Sequence, residues 1–260
     1  MSATLLRRTV MVLGLPIALI IIWWFTSANS TDFYQPPLSQ ILEVFPETWL
    51  NDRLLRDVPA SLGRLAVGYT LALIVGVAVG VVVGSSRFLR RLLEPVLEFL
   101  RAIPPPVLVP VFILVAGIDN AMKVLVIISG CVWPVLLNTV EGVRGADEVL
   151  GDTCRSYRIG GVLRLRSFVL RAASPQIITG ARQALSIGII LMVISEMKAA
   201  SQGIGFIIIE FQRGFQIPEM WSGVLVLGLI GVLLSLLFRA VERRVLVWYY
   251  GVRAAERGTR

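Results

Sequence analysis

Arginine is the side chain best placed to act in this sequence, and it clusters. Residues 152–175 read DTCRSYRIGGVLRLRSFVLRAASP, with Arg155, Arg158, Arg164, Arg166 and Arg171 and no acid after Asp152. Guanidinium groups are planar forks that grip carboxylates through paired hydrogen bonds. The block has the length of a helix, a turn at Gly160-Gly161 and a second helix. A folded basic loop in an otherwise apolar chain is expected to touch something, through residues such as Arg155, Tyr157 and Arg158, although a basic segment that only orients the chain is the alternative. A second polar set is embedded in apolar runs: Ser129, Asn138 and Thr139, then Arg182, Gln183, Ser186, Ser195 and Glu196. Polar groups at membrane depth are costly and usually face a cavity or a partner. These residues are the candidates for a solute path, with Arg182 near its inner mouth and Glu196 near its outer one. The two lie about 21 Å apart along a helix, so they cannot pair with each other. Snorkelling to the two interfaces, or holding neighbouring helices, are the other readings of that pair.

Bond-making chemistry finds no residues here. The chain has no histidine, and its two cysteines, Cys131 and Cys154, are far apart. That argues against a metal site, a thiol-based active site or a disulfide framework. No catalytic residue is expected. A phosphate-cradling loop needs a glycine-rich turn ending in Gly-Lys-Ser/Thr. The lysines, Lys123 and Lys198, both follow methionine. No ATP site of that kind is expected in this chain.

The elements that must position these residues are membrane helices. Of the 260 residues 56% are hydrophobic and only 16% charged, whereas soluble domains are nearer a quarter charged. The apolar residues fall in runs near the roughly 20 residues that cross a bilayer. Val10–Ala28 is the first such run. It is longer than the core of a signal peptide and carries Trp23-Trp24 as an interfacial anchor. Residues 29–57 are polar, suited to short surface helices. Leu62–Gly84 is the second span, with Gly68, Gly76, Gly80 and Gly84 at spacings of four and eight. That spacing lines one face with small residues, which permits close helix approach; ordinary glycine tolerance is the alternative. An apolar helix over Leu92–Ile103 ends at Pro104-Pro105-Pro106, because three prolines cannot continue a helix. The third span is Val107–Ala116, with or without that preceding helix. Ala121–Val140, Ile177–Met197 and Trp221–Val241 complete six spans, and residues 199–218 form a short helix at the surface.

The expected fold is thus an all-α polytopic bundle. Its parts are an anchor (1–28), an extracytoplasmic segment (29–57), a core (58–250) whose loop 141–175 is cytoplasmic, and a basic tail (251–260). Basic residues favour the cytoplasmic side. With the N-terminus inside, most of the 25 basic residues fall inside, Arg87, Arg90, Arg91 and Arg101 among them. Arg53, Arg56, Arg64, Lys123, Lys198 and Arg213 fall outside. The net charge of +8 is therefore a topology signal and no sign of nucleic-acid binding. No acid lies in the central part of any span, and no repeated half is evident. An ion-coupled carrier would want both, so the energy source is expected to lie outside the chain.

These residues resemble the permease subunits of bacterial ABC importers, in particular the nitrate, sulfonate and taurine group. That family carries a cytoplasmic loop of pattern Glu-Ala-Ala, three residues, Gly, nine residues, Ile-x-Leu-Pro. Asp152-Thr153-Cys154 open the corresponding segment, Arg155-Ser156-Tyr157 follow, and Arg158 stands where the family has glycine. Ile159, Gly160 and Gly161 come next, Leu170 matches the closing leucine, Arg171 replaces its proline, and Pro175 matches a second one. Ser195-Glu196-Met197 with Ala199–Gly205, and Val241–Arg244, resemble the group's later signatures. The resemblance implies a multi-pass subunit of the bacterial cytoplasmic membrane. It also implies a second permease chain, alike or different, two ATP-binding subunits that carry ATP and Mg, an extracytoplasmic solute-binding protein, surrounding lipid and no nucleic acid. The solute would be an anion such as a sulfonate, taurine or nitrate, delivered to the surfaces at 29–57 and 199–220. Residues 152–161 would dock on the ATP-binding subunit. Outside the resemblance, an autonomous channel, an ion-coupled carrier and a non-transporting scaffold remain the competing classes.

Overall fold

The computed structural model describes the backbone of residues 3–50, 52–249 and 251, with side chains from Gly14 onward. The expected basic tail beyond Gly251 and the side chains of Arg7 and Arg8 lie outside the described residues. Helix α1 spans Ala3–Ser27, α2 Leu38–Trp49, α3 Asp52–Ser85, α4 Arg87–Ala102 and α5 Val109–Ala116. Helix α6 spans Asn120–Arg144, α7 Glu148–Ser156, α8 Gly161–Arg164, α9 Leu170–Ala199, α10 Ile204–Arg213 and α11 Ile217–Val245. Among the described residues four helical stretches are long and apolar enough to cross a membrane: Asp52–Ser85, Asn120–Arg144, Gly161–Ala199 and Ile217–Val245. The pair Arg87–Ala102 and Pro105–Ala116, bent by 79°, has the length and composition of a broken span or a re-entrant loop. Helix α1 covers the expected first span, and Trp23 on it meets Trp221 of α11 at 6.0 Å.

Glycine spacing sets the packing of the core. Gly68, Gly76, Gly80 and Gly84 face Ile127, Val135, Thr139 and Val143, and a Cβ on any of them would come within 2.6–2.9 Å of those side chains. Ala72, fully buried, fills the remaining position of the stripe. Both sets of numbers climb together, so α3 and α6 run parallel at small-residue distance. The two readings of the glycine stripe are thereby resolved in favour of close packing. Helix α9 crosses α6 in the opposite sense: Gly142 lies against Ala173, Gly180 against Pro134, and Gly188 against Cys131.

The fifth span differs from expectation at its start. The span expected over Ile177–Met197 is part of a longer helix that begins at Gly161 and runs through α8 and a π-helical turn at Leu165–Val169 into α9. Pro175 cannot donate to the carbonyl of Arg171. The Ser174 hydroxyl does so instead, at 2.9 Å, so the helix continues through the proline.

Away from the loop end, α2, α10 and α11 close over the core. Trp49 is fully buried among Ile204, Ile207, Ile208 and Phe211. Its indole donates to Ser222 at 2.9 Å.

Candidate functional site

Helix α7 occupies the centre of the arginine-rich loop and stands clear of the core. Asp147 caps its start, accepting from the Leu150 amide at 2.9 Å, and Glu148 follows in the first turn, where the helix dipole favours an acid. Its end closes in a Schellman turn: the Ile159 amide donates to Cys154 at 2.8 Å and the Arg158 amide to Arg155 at 3.0 Å. The turn requires a left-handed residue, and Arg158 supplies it with φ 54°. Arg158 thus takes the left-handed conformation that such turns usually give to glycine. Gly151, seated on the ring of Phe168, is the buried residue of α7. Asp152, Thr153, Arg155, Ser156, Tyr157, Arg158, Gly160 and Gly161 are exposed, while Cys154 and Ile159 are half-buried. Arg155 pairs with Asp152, and that hydrogen bond holds the guanidinium pKa above its usual value. Beside the helix lies an open groove of about 890 Å³ lined by Arg87, Arg90, Arg91, Arg144, Arg155 and Arg164.

A second cavity, about 370 Å³, lies at the break between α4 and α5. Three prolines stop α4, and the chain turns through 79° against α6. The walls are Pro105, Gly130, Trp133, Pro134, Leu137 and Ile187, with three polar groups: Arg101, Asn138 and Gln183. Gly130 to Asn138 sit about 15–27 Å along a helix of about 37 Å, so the cavity is inside the span. Asn138 Nδ2 donates to the Pro134 carbonyl at 2.8 Å and to Gln183 Oε1 at 3.3 Å.

The expected path residues divide. Asn138 and Gln183 meet at this cavity, and the others lie elsewhere. Thr139 and Ser195 are fully buried, with hydroxyls bonded to the carbonyls of Val135 and Met192. Ser129 bonds Val126 and is half-buried, and Ser186 is exposed. Arg182 pairs with Glu242 and so ties α9 to α11. Arg101 was expected on the inner surface and instead lines the cavity. The signal for it was available: it stands three residues before a helix-breaking triplet, where a broken span delivers side chains to mid-depth.

Glu196 fits, by its contacts, the reading as a holder of neighbouring helices, part of a buried latch. It is fully buried and accepts from Arg64 at 2.6 Å, Ser61 at 2.8 Å and the Gly205 amide at 3.0 Å. Arg64, expected outside as a topology charge, is 6% exposed and also donates to Asn120 at 2.7 Å and to the Gln202 carbonyl at 2.9 Å. Ile204 donates to Ser61 at 2.9 Å, and Gly203 to Asp57 at 2.8 Å. The first amides of α10, which have no partner within a helix, are thus satisfied by α3 and α9. Gly203 has φ 123°, and a Cβ there would sit 2.6 Å from the Glu196 carboxylate.

Residues 59–247 match the family of binding-protein-dependent transport system inner membrane components. The chain belongs to that family. It is a multi-pass permease of the cytoplasmic membrane. The bicarbonate transport system permease protein CmpB of Synechococcus elongatus is 31% identical over 87% of this chain and 86% of its own. The taurine transport system permease protein TauC of Escherichia coli is 28% identical over 94% and 91%. In fold the permease is similar to a chain of the MetNI methionine ABC transporter in an inward-facing conformation. There the TM-score is 0.65 at 19% identity, over 75% of this chain and 97% of that one. The Schellman turn at Arg158 and the Glu196 latch fall inside the matched region of the permease.

Proposed function

We propose that this permease forms half of the membrane path of an ATP-driven importer for a small anion. A second permease chain completes the path, and two ATP-binding subunits, which hold ATP and Mg, drive it. A solute-binding protein delivers the anion to the face built from residues 29–57 and 199–220. The permease itself makes and breaks no covalent bond. Relatives named for taurine and bicarbonate transport support a solute that carries an oxyanion group, a sulfonate or a carbonate.

The observation that carries the reading is α7. It is exposed and capped at both ends, with Val149, Leu150 and Tyr157 as apolar contact area beside Arg155 and Arg158. A capped helix transmits displacement, whereas a frayed one absorbs it. Closure of the ATP-binding subunits would push α7, and the continuous helix from Gly161 to Ala199 would carry that push to the Glu196 latch at the opposite end. The test is charge reversal at Arg155 and Arg158 together. Loss of co-purification with the ATP-binding subunit, or loss of solute-stimulated ATP hydrolysis, supports the docking role. Wild-type behaviour in both refutes it.

A further inference from the structure

We propose that Arg101 and Gln183 form an anion-recognition site within the span, at the break between α4 and α5. The inference rests on the anion-import reading and assigns it residues.

The argument begins with the carbonyl of Pro134, which can only accept. It fixes Asn138 with Nδ2 inward, at 2.8 Å. The same nitrogen lies 3.3 Å from Gln183 Oε1, which uses the oxygen of Gln183 and leaves both N–H groups of its amide as donors. Arg101 uses Nε and Nη2 on one oxygen of Glu98, at 3.2 and 2.5 Å. The rest of its guanidinium donors stay open, and the side chain is half exposed. Arg101 is the charged residue among the cavity's lining groups, and Glu98 is not among them. The cavity therefore offers surplus donors, from a guanidinium whose charge is shared with Glu98, against walls of proline, tryptophan and leucine. An oxyanion needs that combination: bidentate guanidinium donors, a neutral amide donor, and apolar surroundings that strengthen both. The volume of about 370 Å³ accommodates a small sulfonate, nitrate or bicarbonate with residual water.

Glu98 gives the site a release mechanism. It competes with the anion for the same guanidinium, so the anion is held without being trapped. A site on a path must bind weakly enough to let go.

The test uses the complete complex in proteoliposomes, with permease, ATP-binding subunits and cognate binding protein. Calorimetry on the binding protein first selects the probe from taurine, nitrate and bicarbonate. If it binds none of them and instead a solute without an oxyanion group, the anion-import reading falls, whatever Arg101 does. With the selected radiolabelled anion, R101Q lowers ATP-dependent uptake by about tenfold or more, the loss expected for a charged hydrogen bond. R101K, which keeps the charge, retains a substantial part. The double variant E98Q/R101Q stays as low as R101Q, because neutralising the ion pair does not restore an anion contact. Uptake by R101Q within about twofold of wild type overturns the proposal. So does recovery of wild-type uptake in the double variant, which would make Arg101 merely the partner of Glu98. If R101Q fails to assemble, Q183L carries the test: lowered uptake supports the site, and wild-type uptake overturns it.

Discussion

Gly80→Ala adds one methyl group where α3 and α6 come closest. The new Cβ would lie 2.6 Å from Thr139 Cβ and 2.9 Å from the Leu136 carbonyl oxygen. Carbon atoms in contact sit about 3.5–4.0 Å apart, so the helices must part by about 1 Å. Neither neighbour can rotate away, since one is a branch-point carbon and the other is backbone. Overpacking of this kind costs about 1–3 kcal/mol. Alanine also favours a helix over glycine by about 1 kcal/mol, which partly masks the cost. Gly228→Ala on α11 is the matched control, because a Cβ there meets nothing within 4 Å. Both variants gain the same propensity, so their difference isolates the contact. Thermal unfolding of the detergent-purified permease should place Gly80→Ala roughly 2–12 °C below Gly228→Ala. Midpoints within about 1 °C of each other would refute the parallel close packing of α3 and α6.

Arg158→Gly removes the cost of a left-handed arginine, about 1 kcal/mol; hydrogen exchange at the Ile159 amide should slow by about fivefold, and unchanged exchange would contradict the turn geometry. Arg64→Met strands the buried Glu196 without its counter-charge and should destabilise by about 3–5 kcal/mol. Ser61→Ala, which orphans the Ile204 amide and removes one donor to Glu196, should cost about 1–3 kcal/mol; denaturant midpoints should therefore rank wild type above Ser61→Ala above Arg64→Met.

The sequence made some of this legible and hid the rest for physical reasons. Glycines spaced by four and eight betray a helix face that another backbone approaches, and the arginine-rich block betrays an exposed helix and turn. Both patterns are local, so they survive in one dimension. The Arg64–Glu196 latch is not local: its members are 132 residues apart, and each alone reads as a surface charge. Pro175 lacks the donor that would continue a helix, but the Ser174 hydroxyl bonds the carbonyl it leaves. For Arg101 the prolines after it signalled a break in the helix but not the depth of that break. They mark where a helix stops, and the depth at which it stops depends on how α4 tilts against α6.

The central claim is that this permease moves solute only when ATP is hydrolysed by attached subunits. The direct measurement is solute flux into proteoliposomes holding the permease alone, or the permease with its ATP-binding subunits and binding protein, each with and without ATP. The account predicts uptake in the complete complex with ATP and none in the other three conditions. Flux through the permease alone, or uptake driven by an ion gradient without ATP, would contradict it.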